Sequence, residues 1–417
     1  MCHGGARGDN GQEMTREEPG ARYERYCSVI RGRPLPIALV DLASLEANVD
    51  AVVKTLGGVK MRVASKSIRS VALLRCILLR AGDCVSGIMT YTARETAFLH
   101  AQGFTDLLLA YPTLDRGDAD ALAAANRGPG QAAVVADAVP HLEVLSAAAQ
   151  ALGSRIPVVL DLDVSLRPGA GLHLGVRRSP LREAKDVVAL ARRVAGDPGL
   201  RFAGVMGYEA QIAGVPDHDP FASAMDAVRR AMKALSRRDV AKRRAEVKGA
   251  LQAAGLAPLL FNGGGSGSIL SSRADRALTE VTVGSAFLAS HLFDHYCGLD
   301  LDPALSFALQ VVRAPARGIV TCHGGGYVAS GEAGASRLPL PWLPEGLALL
   351  PLEGAGEVQT PLRLPKRLAL PPGAPVFFRH AKAGELAEHF AAYLLVRGSV
   401  AEGEAKTYRG LGHVFLG

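Results

Sequence analysis

Residues 258–268 read PLLFNGGGSGS, a short apolar run followed at once by a cluster of glycines. An apolar run that ends in glycines and leads into a helical window is typical of a buried strand followed by a turn that approaches a ligand. Similar apolar runs recur from residue 37 to residue 283 and alternate with Ala- and Arg-rich windows of helical character. This alternation predicts repeated strand and helix units around a parallel sheet.

The apolar runs number nine, and several lack polar residues almost entirely, as expected for strands buried on both faces. They are IALVD (37–41), MRVAS (61–65), CVSGI (84–88), DLLLA (106–110), AAVVA (132–136), PVVLDLD (157–163), FAGVM (202–206), PLLF (258–261) and EVTV (280–283). We therefore predict an α/β fold with a (β/α)8 barrel and one run left over. If IALVD is an entry strand or part of a second domain, residues 61–65 form the first barrel strand.

Length and composition indicate a second domain. The chain has 417 residues, 48% of them hydrophobic and 21% charged, which suits a large barrel and a further unit. After about residue 300 the sequence becomes a series of short apolar stretches rich in Pro and Gly, which favours strands. We predict a disordered tail at 1–20, a barrel with an entry strand at 21–298 and a β-rich C-terminal domain at 299–417.

Charge and composition exclude several classes of function. The net charge is +7, but aromatic residues make up only 5% and no zinc-finger or RNA-binding pattern occurs, so we expect no nucleic-acid partner. No apolar stretch is long enough to cross a bilayer, and the N-terminal residues do not resemble a signal peptide. The six cysteines form no CxxC pair. We expect a cytoplasmic protein with reduced thiols and no membrane partner.

Two features predict a phosphate-bearing cofactor at the barrel mouth. Lys66, in RVASKS (62–67), follows the first barrel strand, and chemistry in such barrels is built at that end of the strands. A glycine cup after strands seven and eight can bind phosphate through backbone N–H groups. Its members are Gly263, Gly264, Gly265, Ser266, Gly267, Gly284 and Ser285. A strand-end lysine opposite a phosphate cup favours pyridoxal 5'-phosphate, which requires both.

Two further residues complete the predicted cofactor site. Arg167 follows the fifth barrel strand, and an arginine facing the pyridine nitrogen would keep that nitrogen unprotonated because guanidinium only donates. Tyr208, in GYEAQ after the sixth strand, is a candidate to contact the phosphate or the lysine-bound cofactor. For both residues, surface or packing roles remain open.

The chain resembles the fold-type III pyridoxal-phosphate enzymes, the alanine racemase N-terminal-domain class, and within it the D-threonine aldolase and D-serine dehydratase branch. The stretches that carry this resemblance are PIALVDLASLEANV (36–49), RVASKS (62–67), LLLAYP (107–112), LDLDVSLRPG (160–169), GVMGYEAQ (204–211), FNGGGSGS (261–268) and HAKAGELAEHF (380–390). It implies a Schiff base at Lys66, Arg167 at the pyridine nitrogen and a phosphate held by the glycine cup. It also implies a homodimeric lyase in D-amino acid metabolism that cleaves, dehydrates or deaminates a β-hydroxy D-amino acid.

The segment HAK (380–382) departs from the branch it resembles. There a histidine and, two residues later, an aspartate or cysteine bind a divalent metal, whereas here His380 is followed by Lys382. A charged ammonium has no lone pair, so it is a poor metal ligand. We therefore doubt a metal, although Glu385 or Glu357 could replace the missing ligand. Alternatively, Lys382 binds a substrate carboxylate or phosphate, or transfers a proton.

Other functions stay open on the sequence alone. His380, Lys382, His323 and Tyr327 are candidates for a second acid or base beside Lys66. A racemase with two bases on opposite faces is one alternative, and a non-catalytic pyridoxal-phosphate carrier is another. Aldol cleavage, dehydration and racemisation share their early steps, and the sequence does not separate them.

Overall fold

The computed structural model describes residues 17–128, 131–169 and 171–416. Eight parallel strands form a closed barrel. These strands are β2 (Lys60–Ala64), β3 (Val85–Thr90), β4 (Leu107–Leu109), β5 (Ala132–Ala136), β6 (Ile156–Asp161), β9 (Leu200–Gly207), β10 (Leu260–Gly263) and β11 (Glu280–Val283). The predicted barrel is confirmed, and residues 60–64 are its first strand.

Helices follow most of the barrel strands, and others lie in or against the second domain. They are α1 (Pro19–Ile30), α2 (Leu42–Leu56), α3 (Val71–Ala81), α4 (Ala93–Ala101), α5 (Arg116–Ala125), α6 (Val139–Leu152), α7 (Ala184–Ala195), α8 (Ala210–Ala213), α9 (Asp226–Ala253), α10 (Ile269–Ser272), α11 (Ser285–Leu288) and α12 (Ala383–Leu386). Helix α2 illustrates how local sequence sets the two ends of a helix. The Asp41 side chain caps its first turn by accepting from two backbone N–H groups, and Gly57 ends it with a φ of 60°.

A hydrogen-bonded group of polar side chains lies inside the barrel. Thr282 and Asn262 exchange hydrogen bonds at 2.9 and 3.1 Å, and Asn262 also donates to Glu280 at 2.7 Å. Glu280 pairs with Arg62 near the N-terminal ends of the strands. All four side chains are buried, so each polar atom needs the partner it has.

The second domain is built on a nine-stranded sheet in the order β15-β16-β13-β12-β1-β18-β19, in which β17 also pairs with β12 and β14 pairs with β17. Its strands are β1 (Ile37–Asp41), β12 (Leu305–Ala316), β13 (Ile319–His323), β14 (Leu340–Leu343), β15 (Ala348–Leu349), β16 (Gln359–Arg363), β17 (Pro375–Arg379), β18 (Ala392–Arg397) and β19 (Val400–Lys406). β7 (Leu166–Gly169) and β8 (Leu172–Leu174) form a separate hairpin after β6.

The first predicted strand belongs to this second domain. β1 pairs antiparallel with β12, with Leu39 opposite Ser306, and parallel with β18, with Leu39 opposite Leu394. The boundary at residue 298 therefore separates the barrel from most of the sheet but not from β1.

The predicted tail at 1–20 lies mostly outside the described residues, which begin at 17, and its last two residues start α1. Within the described ranges, no helix is both long and apolar enough to span a membrane.

Candidate active site

A cavity of about 230 Å³ opens at the C-terminal ends of the barrel strands. Strand ends from around the whole barrel contribute to its lining. The predicted residues that line it are Lys66, Tyr208, Gly264, Gly265, Ser266, Gly284 and Ser285. The structure thus brings the lysine and most of the glycine cup to one cavity, although they lie almost two hundred residues apart in the chain.

Lys66 stands in a 3₁₀ turn, Ser65–Ser67, that directly follows β2. Its Nζ atom lies 3.2 Å from the hydroxyl of Tyr111, which follows β4 and also lines the cavity. This is hydrogen-bond distance, so the amine and the phenol can exchange a proton.

The glycine cup is fixed by close backbone packing. Gly264 has a φ of 87°, and a Cβ atom there would lie 2.6 Å from Val281 Cγ1. The hydroxyl of Ser266 accepts from the N–H groups of Gly284 at 3.3 Å and Ala286 at 3.0 Å. These bonds join the loops after β10 and β11. Gly263 is the last residue of β10, and Gly267 lies in the 3₁₀ turn that follows.

A buried carboxylate holds the glycine cup from behind. Glu209 accepts from Gly264 N at 2.9 Å and from the hydroxyls of Ser268 at 3.0 Å and Ser272 at 2.6 Å, and it forms an ion pair with Arg244 of α9. Burial alone would raise the pKa of Glu209. The charge of Arg244 and the hydrogen bonds outweigh burial, so this pKa lies below its usual value.

Arg178, not Arg167, enters the cavity. The side chain of Arg167 is 47% exposed, pairs with Asp163 and does not line the cavity. Arg167 lies in β7 of the hairpin, and the chain that leaves β8 returns to the barrel mouth at Arg178. The Arg178 guanidinium lies 5.7 Å from the Tyr111 ring centre and 5.5 Å from that of Tyr208, within the range of cation–π attraction.

Two other groups at this end of the barrel have altered pKa values. Burial raises the pKa of the Tyr208 hydroxyl to about 12, with a further contribution from Glu209. Burial, together with the charge of Asp137, also raises the pKa of Asp161 to about 7, against the charge of Arg178. Tyr208 is therefore a neutral hydrogen-bond donor at neutral pH.

The candidates in the C-terminal domain occupy different surroundings. His380 is buried, its Nδ1 contacts the Leu305 carbonyl at 3.1 Å, and burial lowers its pKa to about 3. Its Nε2 has no hydrogen-bond partner. Lys382 donates to the carbonyl of Ser330 at 2.7 Å. His323 ends β13 on the exposed surface, away from the cavity lining.

The two remaining carboxylates and Tyr327 do not assemble a ligand set with His380. Glu385 accepts from Ser330 N at 2.9 Å, and the ring of Tyr327 stacks near His389 with centroids 4.7 Å apart. Glu357 lies beside Gly326 in a different loop. Over the described ranges, no group of three or more His, Cys, Asp or Glu side chains could hold a metal ion.

Sequence reasoning missed Tyr111 and Arg178. Tyr111 follows the third barrel strand, in LLLAYP, just as Lys66 follows the first, so its position was a usable signal. Arg178 gave no such signal because a hairpin of unpredictable length lies between it and its strand.

Residues 40–290 match the family described as alanine racemase, N-terminal domain. The chain belongs to this family. The family comprises fold-type III pyridoxal-phosphate enzymes, so the resemblance seen in the sequence is confirmed.

Individual relatives are more distant. The chain is 25% identical over 252 residues to a 3-hydroxy-D-aspartate aldolase of Paracoccus denitrificans; the match covers 60% of this chain and only 59% of that relative. Among solved structures, D-threonine aldolase from Filomicrobium marinum has a TM-score of 0.76 at 20% identity, covering 90% of this chain and 95% of that one. D-threo-3-hydroxyaspartate dehydratase from Delftia sp. HT23 has a TM-score of 0.72 at 19% identity, covering 91% and 98%. At these identities the solved structures support the fold.

The cavity of this family member fits the cofactor that the family implies. Lys66 presents a primary amine to the cavity, and the glycine cup brings backbone close to it at the ends of strands seven and eight. For a metal, the described residues assemble no group of three or more His, Cys, Asp or Glu side chains around His380, and that histidine is already bonded to a carbonyl through Nδ1.

Proposed function

We propose that this chain is a pyridoxal-phosphate lyase that acts at the α-carbon of a β-hydroxy D-amino acid, by aldol cleavage or by dehydration and deamination. The observation that carries the proposal is the meeting of the Lys66 amine and the glycine cup in one cavity. Family membership supports the cofactor, and the aldolase relative supports the substrate class.

Several residues would hold the cofactor. Lys66 supplies the amine for covalent attachment. The turn from Gly264 to Ser266, with Gly284 and Ser285, supplies donors for the phosphate. Arg178 takes the role predicted for Arg167, because its guanidinium lines the cavity between two tyrosine rings. When bound, pyridoxal phosphate withdraws electrons from the substrate's α-carbon.

The chain's own residues would move protons at two atoms. The Lys66 amine can take a proton from the substrate, and the Tyr111 hydroxyl, 3.2 Å away, can return one or pass one on. Arg178 stays charged and only donates, so it favours an unprotonated ring nitrogen. Tyr208 donates from a neutral hydroxyl. An unprotonated ring is a weaker electron sink, so general acid and base groups must carry more of the catalysis.

The experiment for cofactor binding is the visible absorption spectrum of the purified protein after incubation with pyridoxal phosphate. We expect a bound-cofactor band in the wild type and its loss in Lys66→Ala, with Lys60→Ala as the matched control. Lys60 begins the same strand at the opposite end of the barrel. A wild-type protein without the band, or a Lys66→Ala variant that keeps it, refutes the proposal.

A product assay separates the reactions. With D-threonine and D-3-hydroxyaspartate, aldol cleavage gives glycine and an aldehyde, whereas dehydration and deamination give a 2-oxo acid and ammonia. Inversion of D- or L-alanine without a carbonyl product would instead indicate the racemase. A cofactor band without any turnover would indicate a non-catalytic carrier.

We also propose a cytoplasmic homodimer. If the subunits are arranged as in the enzymes that the chain resembles, the C-terminal domain of one subunit would lie over the barrel mouth of its partner and could bring a second acid or base to the cavity. Sedimentation at several protein concentrations tests the dimer.

A further inference from the structure

The turn that carries Lys382 is packed directly on the turn that carries Lys66. A Cβ atom at Gly384 would lie 1.9 Å from the Lys66 carbonyl oxygen, so only glycine permits this contact. Arg69 donates to the same carbonyl at 3.2 Å and forms an ion pair with Glu388, just beyond α12. These contacts hold residues 382–388 against the cavity's lysine.

The Lys382 ammonium is held in place with donor capacity to spare. Its Nζ donates to the carbonyl of Ser330 at 2.7 Å and to the hydroxyl of Ser330 at 3.1 Å. An ammonium has three N–H donors, so one remains for a ligand. Glu385, the nearest carboxylate in sequence, is engaged by the backbone N–H of Ser330. Within the described part of the chain, Lys382 forms no ion pair.

A second cation lies beside the first. The guanidinium of Arg337 packs on Gly331, where a Cβ atom would lie 3.1 Å from Nε, and this Nε is buried without a hydrogen-bond partner. Glu385, Arg337 and Lys66 lie close enough to Lys382 to act on its charge. Three cations therefore face one carboxylate, which leaves an excess of positive charge that favours an anion.

We infer that Lys382, supported by Arg337, binds a carboxylate on the side chain of the substrate, so that the preferred substrate is a dicarboxylic amino acid. The inference rests on the proposed function, in which the α-carbon of the substrate lies at Lys66 and the substrate is oriented accordingly. A neutral hydroxy amino acid offers only an uncharged hydroxyl to the free donor of Lys382, whereas a carboxylate forms a stronger, charge-assisted hydrogen bond. The same chemistry would accept a phosphate ester, and the experiment separates the two.

The test is calorimetric binding of succinate, butanoate and inorganic phosphate to the cofactor-loaded protein. Succinate and butanoate share a carbon chain and differ by one carboxylate. We expect wild type to prefer succinate, and Lys382→Gln to weaken succinate binding about ten- to a hundredfold, the usual effect of losing a hydrogen bond to a charged group. Butanoate binding should change little. Lys366→Gln, an exposed lysine of the same domain, should match wild type.

Lys382→Arg guards against a folding artefact, because it keeps the charge and should retain most of the preference for succinate. Equal succinate affinity in wild type and Lys382→Gln overturns the inference. Tight phosphate binding that depends on Lys382, without succinate binding, overturns the carboxylate assignment. Loss of the Lys66-dependent cofactor band, by contrast, overturns the proposed function and is measured separately on the same samples.

Discussion

Glu209→Gln tests how the glycine cup is held. The Glu209 side chain is 1% exposed, and all the groups that face it are donors: Gly264 N, two serine hydroxyls and Arg244. An amide would turn one acceptor oxygen into a donor and remove the charge opposite Arg244. Breaking a buried ion pair on one side costs about 3–5 kcal/mol. Because Asp275 still pairs with Arg244 at 3.0 Å, we expect a loss near the lower end of this range.

The assay is chemical denaturation of the cofactor-free protein at neutral pH, followed by cofactor titration. The free energy of unfolding should fall by about 3 kcal/mol. The cofactor dissociation constant should rise about fivefold, because Gly264 loses the acceptor that fixes its N–H, a loss of roughly 1 kcal/mol. Glu246→Gln is the control: Glu246 lies on α9, is 54% exposed, and should change stability by less than about 0.5 kcal/mol. If both variants lose the same small amount, the cup does not depend on Glu209.

The same carboxylate predicts a pH effect with a definite sign. The pKa of Glu209 in the folded protein lies below 4.5, so its contribution to stability is present at neutral pH and is lost as the pH falls through the acid range. Wild type should therefore lose more stability on acidification than Glu209→Gln does.

Three more outcomes are expected. Tyr111→Phe removes the hydroxyl 3.2 Å from Lys66 Nζ, so kcat should fall about 10²-fold or more while the cofactor band persists; an unchanged kcat would exclude Tyr111 from proton transfer. Arg178→Lys should alter the cofactor spectrum and weaken cofactor binding, and Arg167→Lys should do neither; the reverse result would restore the sequence-based assignment. Burial raises the pKa of Glu95 to about 7, so the folded state loses about 3 kcal/mol as the pH rises from the ordinary pKa of a glutamate to about 7, and Glu95→Gln should flatten this part of the stability profile measured by denaturation.

The barrel could be predicted from the sequence because its strands are buried on both faces. Such strands read as continuous apolar runs, and their order along the chain fixes which loops meet at the mouth. Lys66 and the glycine cup were found for this reason: each directly follows a barrel strand. Tyr111 obeys the same rule, because it follows the third barrel strand.

Other features depend on contacts that no local pattern records. Arg167 lies a few residues beyond β6 in the chain, but it belongs to the β7–β8 hairpin, which carries it outward before the chain returns at Arg178. Glu209 is one residue beyond the predicted Tyr208, yet its role depends on Arg244, which lies in the middle of a long basic helix. The basic sequence of this helix, α9, is typical of a solvated surface helix. Only tertiary packing turns one of its arginines inward.

The position of β1 has a consequence for how the protein is made. This strand emerges from the ribosome first, but its partners β12 and β18 are synthesised only after the whole barrel. Until then both edges of an apolar strand are open to pairing with other chains. We expect the nascent chain to rely on chaperones during this interval, and a fragment that stops at the end of the barrel to aggregate although its barrel is complete.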